Sequence, residues 1–147
     1  MCRAFAPRRG ITKMTRKEAR EFMMQKFYQM DICNNFNIDW MGECFQDISL
    51  KTQKDYCETL FSLVCNKRTE IDSLISSHSR NWTIERIPKT DLAVLRLAIC
   101  EILYIPDIPD AVSVNEAVEL AKRYGTEDSP SYVNAILGNI IKEKDRQ

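Results

Sequence analysis

The chain has 147 residues, 44% hydrophobic and 29% charged, with only 4 Gly and 5 Pro. That is enough for one compact domain or two small subdomains sharing a core, and it excludes disordered, collagen-like and low-complexity classes. Formal charge is zero, from 21 basic and 21 acidic residues, which excludes a uniformly basic or acidic protein.

The average hides an asymmetry. Residues 1–20 hold seven basic residues against Glu18 alone, a balance of +6, so the rest of the chain carries −6. We read residues 1–14 as a flexible basic arm on an acidic body. That layout suits a protein holding a polyanion at one end, and equally a solvated tail; charge alone leaves both open. No apolar h-region follows the first charges, so no secretory signal is expected, while an Arg-rich organellar leader and a start at Met14 stay open.

Helical spacing of apolar residues dominates from there, and no useful segment alternates like a strand. The predicted fold is all-α, about seven helices in two small helical-bundle subdomains sharing a core, residues 15–80 and 81–147. Thr15 and Glu18 form a capping box opening the first helix. Its apolar stripe is Ala19, Phe22, Met23, Phe27 and Met30; Lys17, Arg20, Met24 and Tyr28 make a second line, two cations beside an exposed aromatic.

A short helix is expected over residues 38–48, and a long one from about Thr52 to Ser77 with Tyr56, Leu60, Leu63, Val64, Ile71, Leu74 and Ile75 inward. His78, near its end, reads as a partner for terminal carbonyls. Residues 79–81 mark the subdomain boundary, and Pro88 stops a turn over 83–87.

Residues 89–104 are apolar nearly all round and should form the central helix, with Arg96 in a structural ion pair. The run from Leu92 to Pro106 is broken by Arg96 and Glu101 and is too short to span a bilayer. Ser113 and Glu116 read as a second capping box, Gly125 as a helix C-cap, and Ser129 with Pro130 as the start of the last helix.

Catalytic signatures are absent. No G-x-G-x-x-G, Walker, G-x-S-x-G or H-E-x-x-H motif occurs, and Glu116 with Glu119 are more simply helix-start anions. The six cysteines include no C-x-x-C and are read as reduced thiols of a cytoplasmic protein. No enzyme activity, metal or cofactor is expected.

Three stretches nevertheless carry identity: D-L-A-V-L-R-L-A at 91–98, V-N-E-A-V-E-L-A-K-R-Y-G at 114–125, and E-D-S-x-x-Y-V-N-A-I-L at 127–137. With R-K-E-A-R-E-F-M-M-Q-K-F-Y-Q at 16–29, the chain resembles the NusB family of bacterial transcription antitermination factors over residues 15–141. Between Asn34 and Arg80 only length and amphipathicity match. The resemblance implies binding of the boxA element of nascent ribosomal RNA together with the ribosomal protein NusE, within an RNA polymerase antitermination complex.

Carried over, Arg16, Lys17 and Arg20 match the arginine-rich motif, and Tyr124, Glu127, Asp128, Ser129 and Tyr132 match the segment that meets RNA bases. Tyrosine rings can stack on bases, Asp128 can accept from base amino groups, and a helix N-terminus beside them favours a phosphate. Tyr28 and Asp91 fall where the family touches its ribosomal-protein partner. Glu18 dilutes the basic motif, Lys13, Arg8 and Arg9 being the residues that would compensate, and Tyr124 and Tyr132 stand where phenylalanine is frequent. Rival readings are a helical protein-protein adaptor, or an RNA-docking module related to that of a ribosomal RNA cytosine methyltransferase. Whether the free protein forms a homodimer that hides its basic arm stays open.

Overall fold

The computed structural model describes residues 14–46, 48–80 and 83–147. Residues 1–13 of the basic arm and the boundary residue Asn81 therefore lie outside the described residues, whereas Met14, assigned to that flexible arm, is buried in the hydrophobic core. Among the described residues there are six α-helices: α1 (Arg16–Ile32), α2 (Met41–Cys44), α3 (Lys54–His78), α4 (Lys89–Tyr104), α5 (Asp110–Tyr124) and α6 (Ser129–Asp145). Single 3₁₀ turns at Ile38–Trp40, Lys51–Gln53 and Ile84–Arg86 join them, and no strand occurs among the described residues.

The expected capping box opens α1: the Glu18 amide donates to Thr15 Oγ1 at 3.1 Å, and the Thr15 amide donates to the Glu18 carboxylate at 3.0 Å. Each side chain thereby satisfies an amide that the first turn leaves without an intrahelical partner. α4 is buried from Asp91 through Ile102 and packs against α1, α3, α5 and α6. A helix apolar all round has no face for water, so the others surround it.

Two buried ionic clusters tie the surrounding helices to α4. Arg96 grips Asp72 of α3 with two parallel bonds of 2.9 Å and reaches Asp31 of α1 at 2.9 Å, as its expected structural role requires. Glu101 accepts from Arg20 Nε at 2.8 Å, from Arg20 Nη2 at 3.3 Å, from Ser113 Oγ at 2.8 Å, and from the Tyr56 hydroxyl. Every donor aimed at this carboxylate comes from a different helix than α4.

Several local expectations are corrected. α5 starts at Asp110, so Ser113 is an interior residue whose hydroxyl turns inward to Glu101, and no capping box forms there. His78 bonds the Glu143 carboxylate of α6 at 2.6 Å, where helix-end carbonyls were expected. The Arg20 and Met24 side chains, placed on an exposed line with Tyr28, are buried, and Tyr28 is half-buried against the core. α1 is covered on that side as well, because Glu101 draws the Arg20 guanidinium inward. Cys44, Cys57, Cys65 and Cys100 are free thiols, with burial pushing Cys57 and Cys100 up to about 12.

Candidate nucleic-acid interface

Along the seam between α1 and α5 the side chains pair in register. Lys17 faces Glu116 at 3.6 Å, Glu21 binds Arg123, and Gln25 Nε2 donates to the Tyr124 hydroxyl at 3.0 Å. These α1 positions recur every four residues, the spacing that keeps them on one helix face. The Lys17 side chain is 69% exposed and that of Arg123 52% exposed, so both cations face solvent although each is paired with a glutamate. The Arg123 guanidinium also lies 5.5 Å from the Tyr124 ring centre. Burial raises the Tyr124 hydroxyl above its ordinary value, with Glu21 adding to the effect.

The other cations of the first helix differ. Arg16 is half-buried, its Nε donating to Gln53 at 2.6 Å and its guanidinium 4.1 Å from the Tyr56 ring centre. The Arg20 side chain is 7% exposed and its charge is spent on Glu101. The motif residues are thus not one patch: Lys17 is available to a phosphate, Arg16 is held against α3, and Arg20 is a buried tie. The sequence spacing could not separate them, because the sorting depends on which helices cover α1.

The seam ends at the loop of residues 125–128. Gly125 is required there for space: a Cβ would lie 2.4 Å from Ser129 Oγ and 2.8 Å from the Ala121 carbonyl oxygen. Its φ of −94° is ordinary, so the close approach, and no left-handed turn, explains the glycine. Ser129 is the first residue of α6 and does not cap it; its hydroxyl accepts from the Thr126 amide at 2.9 Å. This bond folds the loop back over the start of α6.

Beyond the loop lies a cleft of about 250 Å³ between the start of α4 and the start of α6. Ile87 and Pro88 form its apolar side; Thr126, Asp128, Ser129 and Tyr132 form the other, with Asp91 between them. Tyr132 is pinned by a 2.8 Å hydrogen bond between its hydroxyl and Ser79 Oγ. Asp91 is 4% exposed, and burial raises its carboxyl above the ordinary range while Ser129 opposes the shift. Glu127 is exposed on the loop and Tyr28 lies on α1.

The structure therefore brings Asp91 together with Asp128, Ser129 and Tyr132, and it adds Arg123, Ser79 and Thr126, which sequence reasoning passed over. Arg123 was visible only as one of two cations ending a helix. Ser79 had no signal at all, since its relation to Tyr132 spans two elements far apart in the chain. No group of three potential metal ligands occurs among the described residues, and no helix there is long and apolar enough to cross a membrane.

Two solvent-facing cations along one seam, each paired with a glutamate, with two tyrosine rings and an acceptor-lined cleft on an all-helical frame, describe a helical module of the nucleic-acid-binding type. The chain belongs to the NusB family, whose model matches residues 17–142. It is 42% identical over 132 residues to the transcription antitermination protein NusB of Alkaliphilus oremlandii, covering 89% of this chain and 96% of that protein. The NusB protein of Listeria monocytogenes serotype 4a is 39% identical over 130 residues, covering 88% and 98%. Among solved structures, T. maritima NusB aligns with a TM-score of 0.81 at 33% identity, covering 90% of this chain and 94% of that one. A structure of antitermination factors NusB and NusE in complex with double-stranded RNA aligns with a TM-score of 0.76 at 25% identity, covering 87% and 96%.

Proposed function

We propose that this chain is a non-catalytic, cytoplasmic transcription antitermination factor that binds boxA RNA of nascent ribosomal transcripts together with NusE and keeps RNA polymerase from terminating early. The observation that carries this reading is the seam from Lys17 through Arg123 to Tyr124, which leads into the tyrosine-lined cleft. Phosphates neutralised along the seam supply affinity without sequence information, and the loop and cleft residues supply base contacts. Within this reading Lys17 and Arg123 hold phosphates, Tyr124 and Tyr132 offer ring faces, and Asp128 offers its carboxylate to base edges, while Ser129, fully buried, holds the loop that presents it. Glu127, beside them on the loop, keeps its family assignment. Arg16 and Arg20 act by fixing α1 against α3 and α4. Tyr28 remains the candidate contact for NusE, and the division at residues 80 and 81 separates the helix bearing Lys17 from the helices bearing the loop and cleft.

The test is fluorescence anisotropy of a labelled boxA-type RNA and a scrambled control, titrated with the protein alone and with NusE at two salt concentrations. Tighter, partner-enhanced binding of the boxA-type RNA is expected. Equal, weak binding of both RNAs with no effect of NusE would overturn the reading.

A further inference from the structure

A second concavity lies away from the seam and the cleft. It is a trough of about 280 Å³ between α2 and the start of α3, and no seam or cleft residue lines it. Phe45, Ile48 and Leu50 give it an apolar floor, and Phe45 is fixed by ring contacts with Phe22 at 5.9 Å and Phe61 at 5.7 Å. Two features there are left unexplained by the chain's own packing. Gly42 lines the trough from within α2, although glycine weakens a helix relative to alanine and a Cβ at this position would meet nothing within 4 Å. Lys51, also lining it, holds φ at +46°, a left-handed conformation that a residue with a side chain adopts only where its surroundings impose it. The turn it begins is held by the Gln53 amide on the Leu50 carbonyl at 2.8 Å and by Arg16 on the Gln53 side chain at 2.6 Å. Lys51 and Lys54 are both exposed, and no ion pair joins either side chain to a described residue.

We propose that this trough docks an amphipathic helical segment of a protein partner, whose apolar side chains enter over Phe45 and whose acidic flank meets Lys51 and Lys54. Charge complementarity commits the site to that chemistry: an apolar floor edged by two cations without carboxylate partners takes a segment carrying an apolar anchor and carboxylates together. Glu58, one helical turn after Lys54, also lines the trough and orients the segment, with its acidic side toward the lysines and a neutral or basic side toward Glu58. The volume lies just below the roughly 300–1,000 Å³ of drug-sized ligand sites, which suits one or two anchoring side chains of a larger partner.

A helix is favoured over an extended peptide because no strand edge exists among the described residues for such a peptide to join. Gly42 then has its reason: without a side chain on that wall, the backbone of an incoming helix can approach α2 closely.

The experiment uses the full chain as bait for a phage-displayed library of random peptides, followed by anisotropy titration of the enriched peptides carrying a fluorescein label. Enriched sequences should place apolar residues at helical spacing and flank them with aspartate or glutamate. Gly42→Leu fills the trough from a position where a Cβ has free space, so it should melt no lower than the wild type while weakening the peptide about tenfold, the loss expected when an anchor pocket is blocked. The double variant Lys51→Glu with Lys54→Glu should weaken the acidic peptide by a similar factor and improve binding of a copy whose acidic residues are replaced by lysine. Both variants should keep the wild-type affinity and salt slope for boxA-type RNA. Four results overturn the proposal. The first is a library that yields no enriched peptide, and the second is enriched peptides that bind both variants as tightly as the wild type. The third is a log-salt slope of RNA binding that drops by about two units in the lysine variant, which would put both cations on an RNA path. The fourth is self-association of the wild type in sedimentation that Gly42→Leu abolishes, which would make a second copy of this chain the occupant.

Discussion

Two buried carboxylates on one helix, Asp91 and Glu101 of α4, have opposite fates. Glu101 is saturated: Arg20, Tyr56 and Ser113 donate to it from α1, α3 and α5, and the tie holds three helices to the central one. Asp91 keeps an oxygen with no donor and borders a cleft. The difference separates an acid saturated by its neighbours from one left incompletely paired, and it arises from position. Glu101 lies where helices surround α4 on all sides, Asp91 in the first turn, where α4 has just emerged beside a loop.

The sharpest way to break this comparison is to remove each acid. Glu101→Ala leaves the Arg20 charge and two hydroxyls buried without an acceptor and should cost about 3–5 kcal/mol in urea unfolding. Arg20→Ala should likewise destabilise strongly, with the salt slope of RNA binding unchanged in whatever fraction folds. A stable Arg20→Ala protein with a shallower slope would return Arg20 to the RNA surface.

Asp91→Asn should change stability by no more than about 1 kcal/mol, the scale of a mild substitution, and should alter its pH dependence. Burial raises the Asp91 carboxyl in the folded protein, so the folded state holds its proton more tightly than the unfolded chain. Stability should therefore fall as pH rises from the ordinary carboxylate range to the raised value, and be flat above it. The groups facing Asp91 are Asp128, Ser129 and Tyr132, none of which supplies a positive charge to reverse that sign. Chemical denaturation across this pH window should show the fall in the wild type and its loss in the variant.

On the seam, Lys17→Ala and Arg123→Ala should each weaken RNA binding and reduce the log-salt slope by about one unit, with little effect on the melting temperature. An unchanged slope in either would take that cation out of the phosphate path. The smallest effect is expected from Asp128→Asn, which should shift preference among RNA sequences while leaving affinity for random RNA nearly unchanged. Competition between boxA-type and scrambled RNA measures it, and uniform weakening would count against base reading.

Much of this was legible in advance. The capping box at Thr15, the all-round apolar run of α4 and the Arg96 ion pair follow from local spacing and the cost of an unpaired buried charge. The motif at 114–137 carried Tyr124 and the loop residues together because they are contiguous in the chain. Reading failed where a residue's role depends on an element far away. Ser113 fitted a capping pattern, yet Asp110 starts the helix and Glu101 takes the hydroxyl. Arg20 shared a line with Lys17, yet only Lys17 reaches water.

The sequence by itself determined the helices, their order, the central place of α4 and the family, because these rest on periodicity, caps and contiguous motifs. Only the tertiary structure decided which cations stay in solvent, that Ser79 steadies Tyr132, and that Asp91 joins the loop of residues 125–128 at one cleft. The physical reason is that burial and pairing are properties of what packs against a residue, and helical spacing names the face without naming what will cover it.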